Sequence, residues 1–236
     1  RTGMTMHASK VGDRRIEESR GLTFWGDRPS CRMALPQPSS FVTPQEYYAR
    51  ERLADHKSEY YQGEIFAMAG TTTRHSIIGT NLLGELYGRL KGGHCRPHNS
   101  DQRIKVAATG LRAYPDASVF CSKMEYDPED EQRETAVNPT VLFEVLSEST
   151  EAYDRGAKSE QYRRIASLQA YVLINQGTAH VEHFERKDDG MWLLTEASGL
   201  DATLQLPALS IKLPLGDLYA GAELDAPLHL NVVKEG

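Results

Sequence analysis

Residues 138–158 read NPTVLFEVLSESTEAYDRGAK. The run from Val141 to Leu146 is short, apolar and of strand type, and in its middle stands one acid, Glu144. A continuous apolar strand is usually covered on both faces, which buries that carboxylate. A bare buried carboxylate is costly, so it must be paired, neutralised or bound to a metal. Upstream, YPDASVF at residues 114–120 reads as a second strand that opens on Asp116. Downstream, Asp154, Lys158 and Tyr162 recur every four residues, so a helix there places them on one face. Two acids on neighbouring strands with a lysine close behind are the ingredients of a divalent-metal hydrolytic site. The same residues allow a plainer account, in which Glu144 pairs with a buried Arg or Lys and Asp116 merely closes a Pro-Asp turn. Both accounts stand at this point.

Magnesium, or manganese in its place, suits such a site because it needs only one or two carboxylates and keeps several waters. The metal polarises a phosphoryl oxygen and lowers the pKa of a bound water. A nearby lysine offsets the negative charge that develops in the transition state. Asp116 and Glu144 fit the ligand role and Lys158 the cationic one.

Composition narrows the class. The chain has 236 residues, enough for one domain with extra segments or at most two. Its hydrophobic share of 39% and charged share of 25% are ordinary for a soluble protein. A net charge of −6 argues against a broad basic face wrapping nucleic acid, though not against a local basic cleft. Cys31, Cys95 and Cys121 are scattered, so a disulfide framework is not expected and a reducing cytoplasm is. No apolar run reaches the roughly 18 residues of a membrane span.

Residues 1–32 are polar and basic without an apolar period, and the expectation is a disordered leader or upstream sequence, with Met33 as a candidate start. The other reading is a basic arm that touches a partner. Residues 43–54 predict a helix opened by a capping box of Thr43, Pro44 and Glu46, with Tyr47 and Tyr48 in the core. A hairpin follows across Gln62-Gly63. Glu64 on its second strand is either a third acid of the site or a solvated strand acid. Residues 73–90 carry the longest helical period, with His75 in the first turn, where a histidine is usually structural. Strands are expected at 94–98, 102–107 and 117–121, with Asp101 and Arg103 flanking the start of the second. Residues 122–138 are acidic and read as a solvated connection. Residues 154–165 predict a helix with a basic surface of Arg155, Lys158, Arg163 and Arg164. A strand at 170–175, a hairpin at 179–186 and 191–196, a strand at 203–206 and a short closing segment complete the order. This is a mixed α/β or α+β sheet protein rather than a βαβ repeat.

The pattern Tyr114-Pro115-Asp116, Glu144 to Ser147, Ser149-Thr150, Asp154, Lys158 and Tyr162 resembles the Uma family of endonucleases, within the PD-(D/E)XK, restriction-endonuclease-like superfamily. The segments TPQEYYARERLADHKSEYYQGEIFAMAG, His75 and RRIASLQAYVLINQ are similar to that family too, so the resemblance covers roughly residues 33–218. It implies a restriction-endonuclease-like domain at 33–220, a mixed central sheet flanked by helices, and a tail at 221–236. It implies hydrolysis of DNA phosphodiester bonds with magnesium. Asp116, Glu144 and Lys158 are then catalytic, with Asp116 and Glu144 on the metal and Glu64, His75, Asp101, Asp154 and Tyr162 as supporting candidates. DNA is the expected partner, a homodimer is left open and no membrane is expected. One departure matters: the superfamily lysine normally stands two residues after the second acid, where this chain has Leu146. Lys158 is then either its replacement or a surface charge, and with the latter the fold would serve as a catalytically silent nucleic-acid-binding module.

Overall fold

The computed structural model of the chain describes residues 41–68 and 70–225, all within one unit. The leader expected at 1–32, Cys31 and most of the expected tail lie outside the described residues.

Helix α1 (Pro44–Glu51) starts where the capping box predicts: Glu46 N–H donates to Thr43 Oγ1 at 3.2 Å and Thr43 N–H to Glu46 Oε2 at 2.8 Å. It ends three residues earlier than expected. The hairpin of β1 (Ser58–Tyr61) and β2 (Glu64–Ala67) turns on Gln62 and Gly63, whose φ of 49° and 87° suit a tight turn with both central residues left-handed. Helix α2 (Thr73–Leu90) matches its apolar period, burying Ile78, Leu82, Leu86 and Leu90. Six short strands follow: β3 (Arg96–Asn99), β4 (Arg103–Lys105), β5 (Arg112–Ala113), β6 (Ala117–Phe120), β7 (Thr135–Ala136) and β8 (Val141–Leu146). A helical run then comprises α3 (Glu151–Tyr153), a π-helical turn (Asp154–Lys158) and α4 (Ser159–Tyr162). β9 (Ala170–Asn175), β10 (His180–Arg186), β11 (Trp192–Ser198), β12 (Thr203–Leu206), β13 (Ile211–Pro214) and α5 (Leu215–Leu218) close the fold.

The strands build a six-stranded mixed sheet in the order β11-β10-β9-β8-β6-β3, a five-stranded sheet in the order β2-β1-β5-β4-β7, and a pair β12-β13. The centre of the larger sheet decides the site. β6 and β8 are antiparallel, whereas β8 and β9 are parallel. A parallel neighbour needs a crossover, and the run 151–162 is that crossover. Alternation along β8 then sorts its side chains. Val141, Phe143 and Val145 pack with α2, β12, β13 and α5 in one core, while Leu142 and Leu146 pack with Tyr162, Ile165 and Tyr171 in the other. Glu144 shares the second face.

Four expectations are corrected. The acidic stretch 122–138 is not merely solvated: Asp127 and Asp130 are buried at 1% and 2% exposure. Asp127 accepts hydrogen bonds from Tyr48, from Lys105 at 2.8 Å and from Arg112 at 3.1 Å; Asp130 accepts from Arg52 at 2.5 Å and Arg103 at 3.2 Å. These acids neutralise arginines buried under α1, and β7 pairs with β4 inside the same stretch. The cysteines do not stay apart: Cys95 and Cys121 form a disulfide. Arg96 faces Phe120 across the β3–β6 ladder, so the next positions outward are opposed as well. β5 went unrecognised because two residues carry no period. The helix at 154–165 has no basic surface at Lys158, which is buried.

Candidate active site

The groups expected to act together meet in a cleft of about 480 Å³ between the β1–β2 hairpin, the first turn of α2, the β6 and β8 ends and the crossover helix. Asp116 directly precedes β6. The β6–β8 register pairs Ala117 with Phe143, so one step back Asp116 falls opposite Glu144. Asp116 N–H lies 3.4 Å from Glu144 Oε2, and Val145 N–H donates to Asp116 Oδ2 at 2.7 Å. Both carboxylates therefore sit at one edge of an antiparallel pair, in the same cleft.

Lys158 comes to them from the crossover. Its Nζ stands 2.9 Å from Glu144 Oε1, 3.0 Å from Glu59 Oε1 and 3.2 Å from Asp154 Oδ1. The spacing of four does bring Asp154, Lys158 and Tyr162 to one side: Tyr162 OH donates to Glu144 Oε1 at 3.1 Å. His75 also reaches the site, with Nε2 3.2 Å from Asp116 Oδ2. Two supporting candidates do not. Glu64 is exposed on β2 and does not line the cleft; Asp101 pairs with Lys57 at 2.5 Å in another depression, beside Arg103. Sequence reasoning missed Glu59 and Tyr153, which are bonded to each other at 2.9 Å. Alternation in SEYY was the available signal for Glu59, because it puts Glu59 and Tyr61 on the face opposite Ser58 and Tyr60.

Four carboxyl groups thus surround one lysine and one histidine. Burial pushes the Glu144 carboxyl well above the usual carboxylate range; Lys158 pulls against this, while Asp154 and Asp116 add to it. Burial raises Asp154 too, with Lys158 again opposing. Burial works against the Lys158 charge, but Glu144, Tyr162, Glu59 and Asp154 outweigh it and hold the ammonium well above the usual lysine range. Burial would lower His75, and Asp116 more than reverses that. The site is short of positive charge, and Asp154 Oδ1 is buried without a hydrogen bond although Nζ is near. A donor set of carboxylate oxygens and an orphaned carboxylate oxygen fit a hard divalent cation. Two carboxylates rather than a closed cage suit magnesium, which retains waters.

A mixed sheet with helices on its faces and an acid pair at the edge of a central β-hairpin is a restriction-endonuclease-like arrangement. A crystal structure described as "a putative nuclease belonging to DUF820", from Anabaena variabilis, has the same fold at a TM-score of 0.59 and 18% identity, over 73% of this chain and 96% of that one. The family model Uma2, described as "Putative restriction endonuclease", matches residues 44–216. Two proteins of Synechocystis sp. PCC 6803 are also similar. "Uncharacterized protein slr1290" is 34% identical over 78% of this chain and 94% of its own length; "Uncharacterized protein sll1609" is 33% identical over 76% and 100%. The chain belongs to the Uma2 family. Among the described residues no helix is long and apolar enough to cross a membrane.

Proposed function

We propose that the protein is a magnesium-dependent endonuclease that hydrolyses DNA phosphodiester bonds, with Asp116, Glu144 and Lys158 as its catalytic residues. One observation carries this: Lys158, twelve positions after Leu146, stands 2.9 Å from Glu144 inside the cleft that also holds Asp116. A surface lysine would support the catalytically silent alternative instead.

Asp116 and Glu144 would hold the metal, which when bound polarises the phosphoryl group and activates a water. The chain's own residues do the rest. Val145 N–H and Tyr162 OH each fix one oxygen of a carboxylate, so the acids are presented in a set orientation. Lys158 keeps its proton and offsets charge as the phosphoryl oxygens become more negative. His75 braces Asp116 from α2. Closure of the site by the crossover helix keeps these charges in a low dielectric, where each is worth more than in water.

The test is cleavage of supercoiled plasmid and of single-stranded circular DNA by the purified chain with magnesium, beside a chelator control and Glu144→Ala. The expected result is cleavage that needs the metal and is lost in the variant. Equal conversion by wild type and Glu144→Ala would sink the proposal; DNA binding without any cleavage would leave the binding module.

A further inference from the structure

The groups that would react stand deep: the side chains of Glu144, Lys158 and Asp116 expose only 5%, 6% and 18%. The mouth of the same cleft differs in character. Phe66 and Tyr153 line it with 48% and 40% of their surface exposed, beside Ala67 and Met68. Phe66 lies on β2, an edge strand of the five-stranded sheet, where an exposed phenyl ring adds nothing to the core. Tyr153 is held by its hydroxyl on Glu59, so its ring is fixed while one side stays open. Among the described residues that line the cleft, the only cations are Lys158 and His75, and both already face carboxylates.

This combination suits one form of nucleic acid better than another. Cations that neutralise phosphates serve duplex and single strand alike, so the exposed rings and the depth of the acids are what discriminate. A duplex is stiff, with a persistence length of about 50 nm, so bringing one of its phosphates into a narrow recess carries a deformation cost. A single strand bends freely, and any of its bases can stack on an aromatic face. We infer that the substrate strand is single-stranded DNA, whose base stacks on Phe66 and Tyr153 at the cleft mouth while the adjoining phosphate enters toward Asp116, Glu144 and Lys158. This rests on the nuclease proposal above.

The experiment compares magnesium-dependent cleavage of one labelled oligonucleotide, alone and annealed to its complement, by wild type, Phe66→Ala, Phe66→Trp and Glu144→Ala. The single strand should be cut at least about tenfold faster than the duplex. Phe66→Ala should raise KM for the single strand about tenfold, the size expected for losing one stacked base, with kcat changing less and Phe66→Trp restoring KM. Equal cutting of both forms, or an unchanged KM in Phe66→Ala, overturns the inference while an inactive Glu144→Ala leaves the nuclease proposal standing. Wild type no better than Glu144→Ala on either form overturns both.

Discussion

Lys158 is held by what surrounds it. Three acids lie within 3.2 Å of its ammonium, and without it they would be buried with no cation among the described residues as close. Its replacement should therefore lower stability, and at a temperature where the variant stays folded it should also act on chemistry. At saturating magnesium, Lys158→Ala should lower the single-turnover cleavage rate about 10²–10³-fold, as loss of one preorganised electrostatic donor does. Equal rates would remove Lys158 from the site. Asp154 tests the shortage of positive charge through stability. Its folded-state pKa is raised, so the stability it contributes is complete below the ordinary carboxylate range and is lost as pH rises through the raised value. Asp154→Asn removes that loss. The variant should be more stable than wild type at about pH 8, with the gap closing near about pH 3. Urea unfolding midpoints across that range read it directly, and a gap independent of pH would contradict the burial account.

Two elements set the site's geometry. The antiparallel β6–β8 pair places Asp116 against Glu144, and the crossover between parallel β8 and β9 carries Lys158 and Tyr162 back over the sheet. A π-helical turn spans Asp154–Lys158 and so carries both the buried acid and the lysine; such turns are frequent at functional sites. α1 lies outside the cleft, yet its tyrosines hold the hairpin that brings Glu59: Tyr47 stacks on Tyr60 at 5.0 Å and its hydroxyl donates to Ser58 O at 2.7 Å. Thr43→Ala removes half of the capping box and should cost about 1 kcal/mol in chemical unfolding. A change indistinguishable from zero would mean that packing of Tyr47 and Tyr48 alone fixes this helix.

Taken whole, the fold relies on charge inside it. Tyr48, Lys105, Arg112 and Asp127 join α1, β4, β5 and the acidic stretch through hydrogen bonds that are buried except for the half-buried one from Lys105. Asp127→Ala leaves the buried Arg112 guanidinium short of its partner, a change that typically costs about 3–5 kcal/mol and should lower Tm sharply. An unchanged Tm would show that Glu129, 2.7 Å from Arg112, suffices. The Cys95–Cys121 bond spans 26 positions and should add about 3 kcal/mol by restricting the unfolded chain. Thiol counting on unfolded, unreduced protein should find two fewer thiols than after reduction; an equal count would exclude the bond.

Periodicity and capping were enough to read α1, α2, the β1–β2 turn, β8, β9 and the β10–β11 hairpin, because each depends on neighbours a few residues away. The burial of Glu144 was legible for the same reason: a continuous apolar strand has no solvent face. The side on which Lys158 ends was not. A spacing of four aligns it with Asp154 and Tyr162 but does not say whether that side turns to water or to the sheet; the parallel pairing of β8 with β9 decides it. Glu59 and the buried Asp127 and Asp130 escaped for a related reason. Each is an ordinary polar residue in its own segment, and its role comes from a partner 15 to 99 positions distant in the chain, brought close only when the sheets assemble. Opposed cysteines likewise reveal themselves only through the β3–β6 register. Local pattern sets elements; the joining of distant strands sets which charges must share a buried space.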